Sequence, residues 1–456
     1  MSRSFARRSS EPSQGDRSSA NVSFLLRISQ LHSAHIAELV LLPRHIQPEL
    51  DAALEDTPVV VIVGPRQCGK STLAGQLADR MGATQISLDD AGPRQAANAD
   101  PTGFVDEARL PVLIDEFQKA PQLIEAIKSR VDRARRAGQD TAPMFLLTGS
   151  ANVWSTLRIA ESLAGRAQRV QLWPFSQGEL HRHRETFLEQ LVQGIVPSLS
   201  RSETGRAAIA EPMLTGGYPE MVSRSGERRR SRWIENYLAM ILERDVRDLS
   251  TRGQQLAELP RLLGVASSRV ANLLDVTSLA RAVGMNRDTV NRYLTLLEML
   301  FLVRRTPAWS RNIGQRLIKS PKLWLPDSGL ACSLVGYSRA RFLNDETSLA
   351  GALFENFVAG EITKQASWAD ADLTLHHFRT GGGREIDIVI EAKDGSLAGI
   401  EVKLAATPSE RDFSGLRHLR DKLGKRFKAG VLIHTGPDRL PFGERLWALP
   451  VKALWS

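Results

Sequence analysis

The β-branched run Val59-Val60-Val61-Ile62-Val63 leads straight into Gly64-Pro65-Arg66-Gln67-Cys68-Gly69-Lys70-Ser71, and Thr72-Leu73-Ala74-Gly75-Gln76-Leu77-Ala78 leaves it with Leu73 and Leu77 at helical spacing. A strand, a loop reading G-x-x-x-x-G-K-[ST] and a helix, in that order, restrict this part of the chain to a P-loop α/β fold. The glycines let backbone N–H groups curl around phosphate oxygens, and the helix start adds donors and partial positive charge. Lys70 reaches β- and γ-phosphates, and the Ser71 hydroxyl ligates Mg²⁺. Residues Gly64, Pro65, Arg66, Gln67, Cys68, Gly69, Lys70, Ser71 and Thr72 therefore form the expected binding set for ATP with Mg²⁺.

A chain of 456 residues is long enough for about three domains, each expected to have its own core. Hydrophobic and charged contents of 42% and 24% are those of an ordinary globular protein, and no apolar run is long enough for a membrane span. Cys68 and Cys332 are the only cysteines, too few for a disulfide framework or a zinc site, which fits a reducing cytoplasm. Cys68 reads either as filler or as a thiol activated by Lys70 and the helix start. The formal net charge of +9 favours a polyanionic partner.

Residues 1–40, with Arg3, Arg7, Arg8 and Arg17 among Ser, Gln and Asn, read as a mobile basic tail without a secretory signal. From Leu41 a helix is expected toward Glu55. Strands and helices then alternate through 41–185, with strands at Val59 to Val63, Gln85 to Leu88, Val112 to Ile114, Met144 to Leu147 and Arg169 to Leu172, the pattern of a parallel sheet. A helical region (186–265) is interrupted by the turn Gly216-Gly217-Tyr218-Pro219. Its arginine run, Arg224 to Arg232, reads as a solvated face or as a phosphate track.

Pro111-Val112-Leu113-Ile114-Asp115-Glu116 is an apolar strand closed by two carboxylates, as in a Walker B motif. Asp115 is the expected holder of the Mg²⁺ shell, and Glu116 the group that orients and deprotonates water. Phe145-Leu146-Leu147-Thr148 leads to Gly149-Ser150-Ala151-Asn152. By similarity to AAA-type ATPases, Ser150 is the first choice for a contact to the γ-phosphate or water, with Thr148 and Asn152 as alternatives. Arg166 serves either as an arginine finger or in a structural salt bridge, and Arg66 also lies near the phosphates.

Ser278 to Leu294 reads as helix, glycine-containing turn, helix, within a unit at 266–335. Asn286 is the expected N-cap, and Val290, Tyr293, Leu294 and Leu297 the buried stripe. Arg287, Thr289, Asn291 and Arg292 fall on the other surface, where DNA contacts would lie, and Phe301 to Arg305 suggests the first strand of a wing. In a C-terminal α+β unit at 340–456, Asp387, Glu401 and Lys403 form D-x13-E-x-K across a hairpin, with Glu355 on the preceding helix. Carboxylates so placed could hold a divalent metal, and the lysine could activate water; an amphipathic hairpin with a surface ion pair is the plainer alternative.

Together these residues resemble the prokaryotic AAA-superfamily ATP-binding proteins that carry a C-terminal domain of unknown function 4143. The carriers are Gly64 to Gln67, Leu113 to Glu116, Leu147 to Ser150, Leu163 to Arg166, Gly216 to Pro219, the helix-turn-helix and the Glu355, Asp387, Glu401, Lys403 set. The resemblance implies an AAA-like ATPase core, a winged helix and a fold similar to PD-(D/E)xK restriction endonucleases. Cys68 and Ser71 depart from common choices without removing a needed group. The leading expectation is an Mg²⁺-dependent ATPase coupled to DNA. A metal-dependent endonuclease with regulatory ATP and a nucleotide-gated signalling or defence switch binding protein partners remain open, as does homo-oligomerisation.

Overall fold

Strand β1 (Val59–Val63) is buried along its whole length, as a strand covered on both faces must be. The computed structural model describes residues 42–149, 162–198, 205–245, 256–345 and 347–456. With β2 (Thr84–Ser87), β3 (Val112–Asp115), β4 (Phe145–Gly149) and β5 (Ala167–Gln171), β1 forms a sheet of order β2-β3-β4-β1-β5. All its pairs are parallel. The two-residue period of β1 builds two apolar layers. Val59, Val61 and Val63 join Val112, Ile114, Phe145 and Leu147 beneath Ile127 and Val131 of helix α3. Val60 and Ile62 join Leu50 of helix α1 and Leu73 and Leu77 of helix α2. These helices span Gln47–Asp56 (α1), Lys70–Met81 (α2) and Leu123–Arg136 (α3).

The helix expected from Leu41 begins instead at Gln47. Pro48 occupies its first turn, where a missing N–H costs nothing, and Arg44 and His45 are left outside it.

The helices that follow include α4 (Glu227–Met240), α5 (Val276–Val283) and α6 (Arg287–Met299), which precede an antiparallel ribbon of β6 (Arg304–Thr306) and β7 (Lys322–Trp324). The long helix α7 (Ser348–Ala366) then leads into β8 (Leu373–Arg379), β9 (Glu385–Ala392) and β10 (Leu397–Val402). Helix α8 (Ser414–Leu423), β11 (Phe427–His434), β12 (Leu440–Pro441) and β13 (Leu446–Pro450) complete a sheet of order β12-β13-β11-β10-β9-β8. The β8-β9-β10 part is an antiparallel meander, and β10, β11 and β13 run parallel.

The parallel sheet has apolar layers of its own, whereas the helical and C-terminal parts share one core. One apolar cluster runs from Phe187 and Tyr237 through Leu263 and Leu297 to Leu325, Phe357 and Leu454. Helix α7 makes this possible because it is apolar nearly all round, burying Leu353, Phe354, Phe357, Val358 and Ile362. The opposite face of the C-terminal sheet has its own layer, with Leu416 and Leu419 of α8.

The turn Gly216 to Pro219 joins these parts. Gly217 donates its N–H to Asp327 Oδ2 at 2.8 Å and accepts the Phe175 N–H at 2.8 Å. A Cβ on Gly217 would stand 2.0 Å from the Phe175 carbonyl oxygen. We therefore expect Gly217→Ala to cost about 1–3 kcal/mol through forced backbone displacement, read as a lower urea midpoint. An unchanged midpoint would show that the junction relaxes freely.

Candidate functional site

The loop after β1 is shaped by contacts from outside it. Gly64 lies so close to Leu172 that a Cβ would meet that carbonyl oxygen at 2.1 Å. Cys68 is fully buried and its thiol donates to the same carbonyl at 3.4 Å, so it fills space and is shielded from modifying reagents. The buried guanidinium of Arg44 donates from Nη1 to the Cys68 carbonyl and from Nε to Glu179, each at 3.0 Å, and from Nη2 to the Trp173 carbonyl. From α4, the Tyr237 hydroxyl lies 3.2 Å from the Arg66 carbonyl and 3.1 Å from the Tyr218 hydroxyl.

Inside this frame the binding set is compact. Lys70 is buried and donates from Nζ to the carbonyls of Gly64 and Pro65, at 3.1 and 2.7 Å. Helix α2 starts at Lys70 after Gly69 without a side-chain cap, which leaves its first N–H groups suited to an anion. Gln67 has a left-handed backbone, φ 60°, and Arg66 is half-buried while Ser71 and Thr72 are exposed.

At the end of β3, Asp115 Oδ1 accepts from the Ser71 hydroxyl at 3.0 Å and from the Thr148 hydroxyl. Glu116 takes a left-handed backbone, φ 57°. Its N–H donates to Thr148 Oγ1 at 3.3 Å, and its Oε2 accepts from Gln118 Nε2. Parallel pairing of β1, β3 and β4 brings these groups to one corner of the sheet. A hydroxyl and a carboxylate in contact are hard oxygen donors, the set Mg²⁺ takes in addition to phosphate oxygens. Thr148, one of the polar candidates on this strand, occupies that corner; Ser150 and Asn152 lie outside the described residues.

Arg166 is engaged elsewhere. Its Nε and Nη2 hold Asp132 Oδ1 and Oδ2 of α3 at 2.6 and 3.0 Å. That hydrogen bond lowers the Asp132 pKa and raises that of Arg166. A finger role would require this two-point pair to open first.

Helices α5 and α6 form the helix-turn-helix read from the sequence. Asn286 caps α6 by accepting the Thr289 N–H at 2.7 Å, and Val290, Tyr293, Leu294 and Leu297 are buried. Arg287 and Arg292 are exposed, Thr289 and Asn291 half-buried. In the arginine run, Arg228, Arg229 and Arg232 are exposed, whereas Arg224 and Arg230 pair with Glu220 and Glu211.

The C-terminal set converges as well. The β9–β10 register, with Ile400 opposite Ile388, sets Asp387 beside Glu401, and Asp387 Oδ2 accepts the Val402 N–H at 2.9 Å. Lys403 Nζ lies 2.8 Å from Glu401 Oε1. Lys322 of β7 adds an ammonium that sequence reasoning missed, bonded to Asp387 Oδ1 at 2.7 Å and to Glu355 Oε1. A lysine opening the apolar run Leu323-Trp324-Leu325 was the available signal, since such a group is buried only with partners. Arg44 and Tyr237 carried no comparable signal.

Three carboxyls crowd two ammonium groups here, an arrangement that disfavours full ionisation of the acids. Burial and then Asp387 raise Glu355, and the same causes push Glu401 up to about 8. Asp387 is lowered despite its burial, because Lys322 lies beside it.

Comparisons with known proteins follow this division. Residues 56–181 match the AAA domain, residues 206–341 a domain of unknown function (DUF8612), and residues 350–454 a domain of unknown function (DUF4143). The first segment is thus an AAA-type P-loop ATPase-like domain, a fold class that binds nucleotides. Uncharacterized proteins of Mycobacterium bovis (Mb2031c) and Mycobacterium tuberculosis (Rv2008c) are each 28% identical over 420 residues, covering 92% of this chain and 86% of theirs. Among solved structures, the Walker-type ATPase PABY2304 of Pyrococcus abyssi is 16% identical, with a TM-score of 0.38 over 63% of this chain and 93% of its own. The ORC2 protein of Aeropyrum pernix is 15% identical, with a TM-score of 0.31 over 72% and 94%. Likenesses at that level carry no functional conclusion. No described helix is long and apolar enough to cross a membrane.

The raised pKa of Glu401 gives a pH signature. Because the folded pKa of Glu401 lies above its ordinary value of 4.5, its contribution to stability is fully present below that value and is lost as pH rises through about 8. Glu401→Gln leaves two carboxyls for two ammonium groups. The fall in thermal midpoint between pH 5 and pH 8 should be shallower in this variant than in wild type, to about the extent of one titrating group. Parallel profiles would show that Glu401 is not the group that titrates in this range.

Proposed function

We propose that the chain is an Mg²⁺-dependent ATPase that couples its nucleotide state to DNA engagement. The observation that carries this reading is the corner where Ser71 and Thr148 share Asp115 Oδ1 beside Glu116. Bound Mg²⁺ would neutralise charge on the β- and γ-phosphate oxygens. Ser71 and Asp115 are the residues to hold it. Lys70, resting on two carbonyls of its own loop, turns to the phosphates when they arrive. The helix α2 N-terminus and the loop N–H groups bind and orient the triphosphate, and Glu116, fixed by its own N–H to Thr148 and by Gln118, orients the attacking water and takes its proton.

The proposal assigns DNA contact to Arg287, Thr289, Asn291 and Arg292 on the outer side of α6, with the β6–β7 ribbon in the place of a wing. The exposed arginines of α4 and the net charge of +9 support a polyanionic partner. Tyr237 joins α4 to the P-loop carbonyl of Arg66, which gives the helical region a direct contact with the nucleotide loop.

The test is ATP turnover by the full chain, with and without mixed single- and double-stranded DNA. Wild type should hydrolyse ATP at a rate that DNA changes. Lys70→Ala should lose ATP binding, and Glu116→Gln should bind ATP while turnover falls about a hundredfold or more. Stoichiometric ATP binding with no turnover in any condition would replace the ATPase by a nucleotide-gated switch. Turnover indifferent to DNA at low salt would remove the DNA coupling.

A further inference from the structure

The acid cluster of the C-terminal sheet already holds a cation, and the chain itself supplies it. Lys322 Nζ stands between Asp387 and Glu355, with side chains of Lys322, Glu355 and Asp387 only 8, 15 and 4% exposed. The ammonium is fixed from behind as well. Lys322 pairs with Thr306 across the ribbon, bridges Leu273, and places Nζ 5.2 Å from the Trp324 ring centroid. Resemblance to the PD-(D/E)xK fold implies a divalent metal among Glu355, Asp387 and Glu401. The residues present do not fit one in this arrangement, and among the described residues no group of three His, Cys, Asp or Glu is set to hold a metal.

The misfit has a specific origin. A divalent ion at this place would have to displace an ammonium from two largely buried carboxylates, and the displaced ammonium would lose charge-assisted hydrogen bonds. The cluster nevertheless keeps one carboxyl oxygen unused. Glu401 Oε2 is buried without a hydrogen-bond partner among the described residues, while Glu401 and Lys403 line a cavity of about 310 Å³ with Arg379, Arg411 and Ser414. An unpaired carboxylate oxygen beside two others is what a metal would use once Lys322 had gone.

We propose that Lys322 is a tethered cation standing in for a divalent metal, so that the Glu355–Asp387–Glu401 cluster latches the β6–β7 ribbon to the C-terminal sheet and accepts a divalent ion only when Lys322 leaves. The ribbon is itself tied to the helix-turn-helix. Glu298 of α6 accepts the Arg305 N–H at 2.9 Å and Arg305 Nε at 2.8 Å, and Arg304 reaches Thr363 of α7 at 2.6 Å. A displacement of α6 thus pulls on the residue that fills the acid cluster. The inference stands on these residues alone and does not depend on ATP hydrolysis.

The test is Mn²⁺ binding to the full chain without nucleotide, followed by the electron paramagnetic resonance of free Mn²⁺. Wild type and Asp387→Asn should titrate alike. Lys322→Met, which keeps the apolar stem and removes the charge, should bind one more Mn²⁺ per chain than the double variant K322M/D387N, and Mn²⁺ should raise its thermal midpoint. Lys322→Gln, whose amide can still donate to a carboxylate, is the second variant should Lys322→Met fail to fold, and it should show the same gain. An Asp387-dependent Mn²⁺ site in wild type would overturn the proposal, as would folded Lys322 variants that gain none. A background of Mn²⁺ bound alike by every variant belongs to the P-loop region, and the gain in the Lys322 variants is read above it.

Discussion

The buried guanidinium of Arg44 organises the part of the molecule on which the nucleotide loop depends. Its donors reach the Cys68 carbonyl inside the loop, the Trp173 carbonyl beyond β5 and the Glu179 carboxylate, while its face lies over Phe175 at 4.5 Å. Few side chains other than arginine could satisfy a carboxylate and two carbonyls in different directions from one planar group. Neighbouring groups complete the frame. Glu179 also accepts the His45 N–H at 2.8 Å, and His45 pairs with Glu185 at 2.9 Å. Removal of one partner from such a buried set leaves charge uncompensated, so loop shape and the order of the 173–185 segment stand or fall together.

From that segment the frame continues to the C-terminal half. Glu361 of α7 accepts the Gln177 N–H at 2.8 Å, and Lys364 donates to the Phe175 carbonyl at 2.9 Å and to Glu361 at 2.6 Å. Glu361 keeps a raised pKa from burial, and the neighbouring acids raise Lys364 against its own desolvation. The same helix carries Glu355, a partner of Lys322. Helix α7 therefore touches the surroundings of the P-loop near one end and the acid cluster nearer the other, and the shared apolar cluster makes it a strut between them. Coupling between two sites needs an element with two arrangements, a role that the inference drawn above assigns to the ribbon held by Lys322.

The nucleotide loop was legible because its chemistry forces local order: a strand must enter, glycines must let backbone N–H groups curl inward, and a helix must begin at Lys70. The same held for Asp115 and Glu116, for the Asn286 cap and for the pairing of Asp387 with Glu401, all fixed by short-range periodicity and hydrogen bonding. What escaped the sequence was long-range. Arg44 meets Glu179 and Trp173, and Lys322 meets Glu355 and Asp387, across separations along the chain that no pattern encodes. The single core through the helical and C-terminal parts escaped for a related reason. An all-round apolar helix such as α7 announces burial without naming its neighbours.

Two lysines mark the contrast between the candidate sites. Lys70 rests on the neutral carbonyls of Gly64 and Pro65, whereas Lys322 rests on two carboxylates. Hydrogen bonds to ionised acceptors are roughly twice as strong as those to neutral ones. An arriving polyphosphate offers Lys70 better partners than it has, and the uncapped start of α2 adds donors for the same anion. Nothing comparable draws Lys322 away, because its partners are already charged and sheltered from water. The first site is built to exchange its internal contacts for a ligand; in the second, Lys322 already has charged partners supplied by the chain itself.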